Sequence, residues 1–94
     1  MAPRLPEPMP EVTVEFYGLP RHRAGRADLS VPARTAGDAL RRVAEACPDL
    51  NLLAGGALAA PYLLSVDGKR FVADLDELIR PGERLLLLSA DAGG

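Results

Sequence analysis

The stretch TAGDALRRVAEACP, from Thr35 to Pro48, is the one part of the chain that predicts a helix of several turns. Thr35 and Asp38 have the spacing of a capping box, and Pro48 ends the helix because proline has no N–H to donate. One apolar stripe at helical spacing is formed by Ala36, Leu40, Val43 and Cys47. We therefore predict a helix from about Ala36 to Cys47, with this stripe, including the lone cysteine, in the core.

Strand patterns precede this helix. Val12 to Tyr17 alternates apolar and polar residues at the two-residue period of a half-buried strand, and Asp28 to Val31 repeats the alternation. We expect the two to form a hairpin closed by a loop from Leu19 to Ala27, because Gly18 and Pro20 end the first strand.

Further strands follow the helix. We predict strands over Tyr62 to Val66, Phe71 to Val72 and Arg84 to Ser89, with Asp67-Gly68 as the tight turn between the first two. The segment from Leu50 to Pro61 has no clean period, and we interpret it as a loop with room for a helical turn.

This order predicts an α+β fold of the β-grasp type: a mixed sheet of four to five strands with one main helix across one face. A ferredoxin-like fold is the alternative, but its second helix would have to include Gly55-Gly56, at about 1 kcal/mol per glycine relative to alanine. The predicted domain spans residues 12–90. It follows a proline-rich, disordered leader of residues 1–11 and precedes a flexible tail of residues 91–94.

Composition excludes several classes of function. The 94 residues suit one domain, and a net charge of −2 argues against binding to nucleic acid. One histidine and one cysteine cannot supply a zinc site, and we expect no metal. No apolar run is long enough to cross a membrane, so we predict a cytoplasmic protein. Gly68-Lys69 lacks the rest of a phosphate-loop pattern, so we expect no cofactor bound by the chain itself and no stand-alone enzyme.

Two surface features suggest binding. Leu85 to Leu88 is apolar on both faces, and if Leu85 and Leu87 face the helix, Leu86 and Leu88 form a patch on the open face that Tyr17 extends. The alternative is that the leader or the segment from Leu50 to Pro61 covers this face. The basic run from Arg21 to Arg26 keeps its loop solvated or meets an acidic partner, and His22 within it is interpreted as a solvated loop residue.

The printed sequence ends in Gly93-Gly94, directly after the last predicted strand and a short tail. Without side chains, such an end fits a channel too narrow for a Cβ atom, although a frayed terminus has the same composition.

With these features the sequence resembles the MoaD/ThiS family of ubiquitin-like sulfur carriers, over Val12 to Gly94. The resemblance is carried by the opening strand, the helix after Thr35, the Val66-Asp67-Gly68 turn, the stretch Ile79-Arg80-Pro81-Gly82-Glu83 before the final strand, and the terminal Gly93-Gly94.

The resemblance implies chemistry at Gly94 that partner enzymes perform. An adenylating enzyme of the ubiquitin-activating type would use ATP to activate the Gly94 carboxylate, and sulfur would then replace AMP to give a thiocarboxylate. Gly93 would provide backbone access. The partner-binding residues implied are Leu86, Leu88, Tyr17, Asp91 and Ala92.

The thiocarboxylate would then donate its sulfur to a biosynthetic enzyme, and the resemblance implies a monomer that forms transient complexes with both partners. Molybdopterin, thiamine, cysteine and other thio-metabolites remain open as products. A non-catalytic ubiquitin-like binding module and a protein modifier that forms isopeptide bonds are the alternatives.

Overall fold

A five-stranded mixed sheet forms the frame of the protein in the computed structural model, which describes residues 10–90. The helices are α1 (Leu19–Ala24), α2 (Ala36–Ala46) and a 3-10 turn (Pro48–Leu50). The strands are β1 (Glu11–Phe16), β2 (Asp28–Pro32), β3 (Leu53–Ala54), β4 (Ala57–Leu58), β5 (Tyr62–Val66), β6 (Arg70–Phe71) and β7 (Arg84–Ser89).

The strand order across the main sheet is β2-β1-β7-β5-β6. The central strand, β7, is parallel to its neighbour β1, with Val14 opposite Leu85 and Phe16 opposite Leu87, and the other neighbours are antiparallel. With α2 packed across one face, this arrangement confirms the predicted β-grasp fold.

Helix α2 begins as its sequence predicts. The Thr35 hydroxyl accepts a hydrogen bond from the Asp38 N–H at 3.0 Å, and the Asp38 carboxylate accepts one from the Thr35 N–H at 3.3 Å. The next two N–H groups, of Ala36 and Gly37, donate to carbonyls of the segment before β7 at 3.0 and 2.8 Å. The donors of the first turn are thus satisfied, and this segment is held against the helix.

The apolar stripe of α2 lies in the core, as predicted. Ala36, Leu40 and Val43 are fully buried, and Cys47, which caps the helix one residue after its end, is also buried. They pack against the inner face of the sheet, whose largest fully buried side chains include Phe16, Leu64, Leu85 and Leu87.

The predicted loop between the first two strands is wrong in part, because it contains helix α1. Gly18, at φ 63°, turns the chain out of β1, and buried Pro20 lies in the first turn. Gly25, in the left-handed region at φ 71°, ends the helix by donating to the Arg21 carbonyl at 3.0 Å. The helix is held by packing against β7 and the 3-10 turn, and no local sequence pattern predicts these contacts.

The segment from Leu50 to Pro61 has more structure than predicted. After the 3-10 turn, β3 and β4 form a small hairpin, with Gly55 and Gly56 at positive φ in its turn. Within residues 10–90 this segment forms no long second helix, which removes the ferredoxin-like alternative.

The last three strands follow the prediction closely. Asp67 and Gly68 have φ values of 54° and 72°, as the predicted tight turn requires. The short return strand is Arg70–Phe71, one residue earlier than predicted, and the final strand spans Arg84 to Ser89 as expected.

Candidate functional site

The four consecutive leucines of β7 divide between the two faces of the sheet. Leu85 and Leu87 are fully buried under α2, whereas Leu86 and Leu88 are half-buried on the opposite face. This confirms the predicted alternation. An apolar row is therefore left on the face of the sheet that α2 does not cover.

Neighbouring strands extend this row. The register places Leu63 opposite Leu88, while Ser65 of β5 lies between Leu86 and Phe71 of β6. Leu63 is 37% exposed and Phe71 63%. Leu86, Leu88, Leu63 and Phe71 form what we call the apolar patch.

Leu63 and Phe71 are site residues beyond those predicted from the sequence. The parity of the strand from Tyr62 to Val66 is a signal for Leu63, because Tyr62, Leu64 and Val66 face the core and Leu63 faces the other way. Phe71 is different, because only the pairing of β6 with β5 brings it to the patch.

Tyr17 lies on the same open face, as predicted. Its N–H donates to the Leu87 carbonyl at 3.1 Å, which continues the parallel pairing one residue beyond β1 and sets Tyr17 beside Leu88. The side chain is 42% exposed. It borders the apolar patch at the end of the sheet where β7 finishes.

A polar network fixes the Tyr17 ring. The Tyr17 hydroxyl donates a hydrogen bond to one oxygen of Glu15, and Arg84 Nη1 donates to the other at 2.6 Å. The hydrogen bond from Tyr17, together with that from Arg84, lowers the pKa of Glu15, and the bond to Glu15 raises the pKa of Tyr17. Glu15 therefore stays ionised at neutral pH and holds Tyr17 on the sheet surface.

The chain leaves the sheet at this end. The Ala90 N–H donates to the Pro61 carbonyl at 2.7 Å, which ties the end of β7 to the residue before β5. The remaining predicted site residues, Asp91, Ala92, Gly93 and Gly94, lie outside the described residues, as does most of the predicted leader. The chain thus leads from the row of Tyr17, Leu88 and Leu63 directly to its Gly-Gly sequence.

The segment from Leu50 to Pro61, one of the two predicted alternatives for covering this face, lies on the other side of the sheet. Leu50 and Leu52 are buried in the core, and Leu53 and Leu58 of the β3–β4 hairpin pack against it. The segment from Leu50 to Pro61 therefore belongs to the layer that contains α2. Within residues 10–90, the apolar patch remains accessible.

Helix α1 and the turn after it carry a basic surface, of which Arg21 is the part nearest Tyr17. Arg21, His22, Arg23 and Arg26 are all exposed, and His22 lies on the helix instead of in a loop. The Arg21 charge acts at the Tyr17 hydroxyl, where it opposes the rise in the pKa of Tyr17. We call Arg21, Arg23 and Arg26 the basic edge.

Other kinds of site find no support in residues 10–90. This part of the chain has no group of three or more His, Cys, Asp or Glu side chains able to hold a metal ion. None of its helices has the length and apolar character needed to cross a membrane.

The β-grasp frame with an open, partly apolar sheet face defines a ubiquitin-like fold. Small archaeal modifier protein 1 (SAMP1) from Methanosarcina acetivorans has a similar structure: the TM-score is 0.77 at 20% identity, over 92% of this chain and 98% of that one. SAMP1 from Haloferax volcanii gives 0.76 at 24% identity, over 89% and 99% of the two chains. A chain of the Amycolatopsis orientalis BexX/CysO complex gives 0.71 at 22% identity, over 88% and 99%. No family model and no curated protein sequence matches the chain.

Proposed function

We propose that this protein is a ubiquitin-like sulfur carrier, whose Gly94 carboxylate is activated by a partner enzyme and converted to a thiocarboxylate. The observation that carries the proposal is the apolar patch on the open sheet face, two of whose residues belong to β7, the strand that precedes the Gly-Gly sequence. The patch supplies a docking face, and the tail supplies the reactive group.

The carboxylate needs outside activation. An α-carboxylate is an anion at neutral pH, and such an anion is a poor electrophile. The adenylating enzyme joins one carboxylate oxygen to the α-phosphate of ATP and releases pyrophosphate. Hydrosulfide then attacks the carbonyl carbon, AMP leaves with the oxygen, and the sulfur keeps the negative charge after its proton is lost to water.

Docking and chemistry are divided between two parts of the chain. Leu86, Leu88 and Tyr17 contact the adenylating enzyme, and Asp91 and Ala92 pass through its channel so that Gly93 and Gly94 reach the nucleotide. Glycine suits the last two positions because a channel that closes on the backbone excludes side chains. The loaded carrier then leaves for a sulfur-accepting biosynthetic enzyme.

The solved complex of BexX with CysO supports a protein partner for this fold. Docking through the sheet face is compatible with this fold, since Tyr17, Leu88 and Leu63 lie at the end of the sheet where the chain leaves it. The chain itself needs no bound cofactor, because ATP belongs to the activating partner.

Intact-mass spectrometry tests the proposal. The chain is produced with candidate adenylating enzymes from its own genome and a sulfide source, and we expect a mass increase equal to one oxygen-to-sulfur exchange. Deletion of Gly94 and addition of one residue after it are the matched controls, and both should abolish the exchange. An unchanged mass with every candidate enzyme would overturn the proposal.

A second candidate function is a protein modifier, which the similarity to the small archaeal modifier proteins favours. In that case the activated Gly94 would form isopeptide bonds with lysines of other proteins. Tagged protein expressed in its native cells would then appear in conjugates of higher mass, which deletion of Gly94 would remove. A simple binding module, by contrast, would keep its partners after that deletion.

A further inference from the structure

The basic edge on α1 has no acidic partner within the described part of the chain. The three ion pairs of residues 10–90 join Arg41 to Asp38, Arg70 to Glu77 and Arg84 to Glu15, and none includes an arginine of the basic edge. The segment from Leu19 to Ala27 contains three arginines and a histidine but no acidic residue, in a chain whose net charge is −2. This segment is therefore locally positive, although the chain as a whole carries a net negative charge.

The edge is also fixed in position. Arg23 Nη1 donates a hydrogen bond to the Tyr62 hydroxyl at 2.8 Å, and its guanidinium lies 6.0 Å from the centre of the Tyr62 ring. Arg26 Nε donates to the Asp28 carbonyl at 2.8 Å. These hydrogen bonds hold the side chains of Arg23 and Arg26 against the protein surface, whereas Arg21 is exposed.

Its position relates it to the proposed docking face. Helix α1 starts two residues after Tyr17 and contacts β1 and β7, and the Arg21 charge acts at the Tyr17 hydroxyl, so Arg21 lies beside the Tyr17 end of the row of Tyr17, Leu88 and Leu63. Arg23 instead reaches Tyr62, whose side chain faces the core. A protein that covers Tyr17 therefore also comes close to Arg21. Charges at the rim of an interface act mainly on the rate and selectivity of encounter.

We propose that the basic edge, through Arg21 beside Tyr17, meets an acidic surface on the same adenylating enzyme that covers the apolar patch. This inference rests on the proposed function. The edge steers the carrier toward the enzyme so that the C-terminal end of β7 arrives at the nucleotide site. The apolar patch then supplies the short-range contacts.

The test is ATP–pyrophosphate exchange, with the adenylating enzyme that responds to the wild-type chain. We expect Arg21→Glu/Arg26→Glu to raise the KM for the carrier roughly ten-fold at low ionic strength, with kcat changed less than about two-fold. The wild-type KM should rise with salt, and that of the variant much less, because salt screens the attraction that the variant lacks.

Matched variants separate this role from others. Arg42→Glu/Arg80→Glu makes the same change in net charge, on α2 and in the turn that precedes β7, and should leave the KM nearly unchanged. Arg21→Lys keeps the charge and should have a KM close to that of the wild type. This variant distinguishes a loss of charge from a loss of the arginine side chain. Circular dichroism and the Tm establish that each variant is folded.

Several results would overturn the inference. One is an equal rise in KM for the two charge-reversed pairs, which would indicate an effect of net charge alone. Another is a KM unaffected by Arg21→Glu/Arg26→Glu. Tighter binding of the wild-type chain to a short DNA duplex than to the enzyme, lost in this variant, would instead assign the edge to nucleic acid. An absence of exchange with the wild-type chain, by contrast, would refute the proposed function itself.

Discussion

The two tyrosines show how one residue type serves two purposes in this chain. Tyr62 is buried, and its hydroxyl donates to the Leu50 carbonyl at 2.5 Å while it accepts a hydrogen bond from Arg23. It thereby joins β5, the 3-10 turn and α1. Tyr17 is exposed, and among residues 10–90 its hydroxyl is hydrogen-bonded to Glu15.

We therefore expect Tyr62→Phe to lower the free energy of unfolding by about 1–2 kcal/mol, because the buried Leu50 carbonyl would lose its hydrogen-bond donor. Tyr17→Phe is the matched control and should cost less than about 0.5 kcal/mol, since water can solvate Glu15 in its place. Urea unfolding at neutral pH measures both. Equal losses for the two variants would contradict this assignment.

At the scale of elements, β7 serves both the core and the surface. Leu87 faces Phe16 and Leu64 across the buried side of the sheet, whereas Leu88, the next residue, is half-buried on the open side. The pleat of one strand thus separates the core face from the face proposed for docking.

Leu87→Ala should lower the free energy of unfolding by about 2–5 kcal/mol, because it leaves a cavity in a fully packed core. Leu88→Ala should cost about 1 kcal/mol or less but should weaken complex formation with the adenylating enzyme. Urea unfolding and titration calorimetry measure the two effects. A large loss of stability in Leu88→Ala with unchanged binding would refute the division of roles.

The short elements show where sequence patterns stop being informative. Helix α2 was predictable to within one residue, because its capping box, apolar stripe and proline are all local. Helix α1 has six residues and no side-chain cap, so its stability depends on contacts with β7 and the 3-10 turn. Helix α1 can therefore be identified only from the tertiary structure.

At the scale of the whole molecule, ionised carboxylates link stability to pH. Burial raises the pKa of Asp38, but hydrogen bonds from the Arg34 and Thr35 N–H groups outweigh it and leave this pKa below its ordinary value. The pKa of Glu15 is likewise lowered, by Tyr17 first and then Arg84. Both groups bind protons more readily in the unfolded chain.

Their contributions are complete above the ordinary carboxyl pKa values, near pH 4, and are lost as the pH falls through the lower folded values. We expect the wild-type free energy of unfolding to decrease from about pH 5 to about pH 3. Glu15→Gln/Asp38→Asn should make this decrease in the free energy of unfolding smaller, by less than about 1 kcal/mol for each of the two carboxylates, because both form exposed ion pairs. Urea midpoints across this range measure it, and an unchanged pH dependence in the variant would contradict the assignment.

The candidate site was predictable from the sequence only in part, because some of its residues are brought together by pairing between distant strands. Leu86, Leu88 and Tyr17 follow from strand parity, which is a property of the local sequence. Leu63 and Phe71 join them through pairing between strands that are distant along the chain. The basic run was visible in the sequence, but its place beside Tyr17 depends on the helix that forms there.

The sequence by itself determined the main helix, the strands around it, the Asp67-Gly68 turn and the two-sided apolar character of β7, because each depends on neighbours a few residues apart. Only the tertiary structure decided the parallel pairing of β1 with β7, the formation of α1 and the β3–β4 hairpin, and the membership of the apolar patch. These depend on contacts between distant segments, whose stability comes from shared burial and not from local preference.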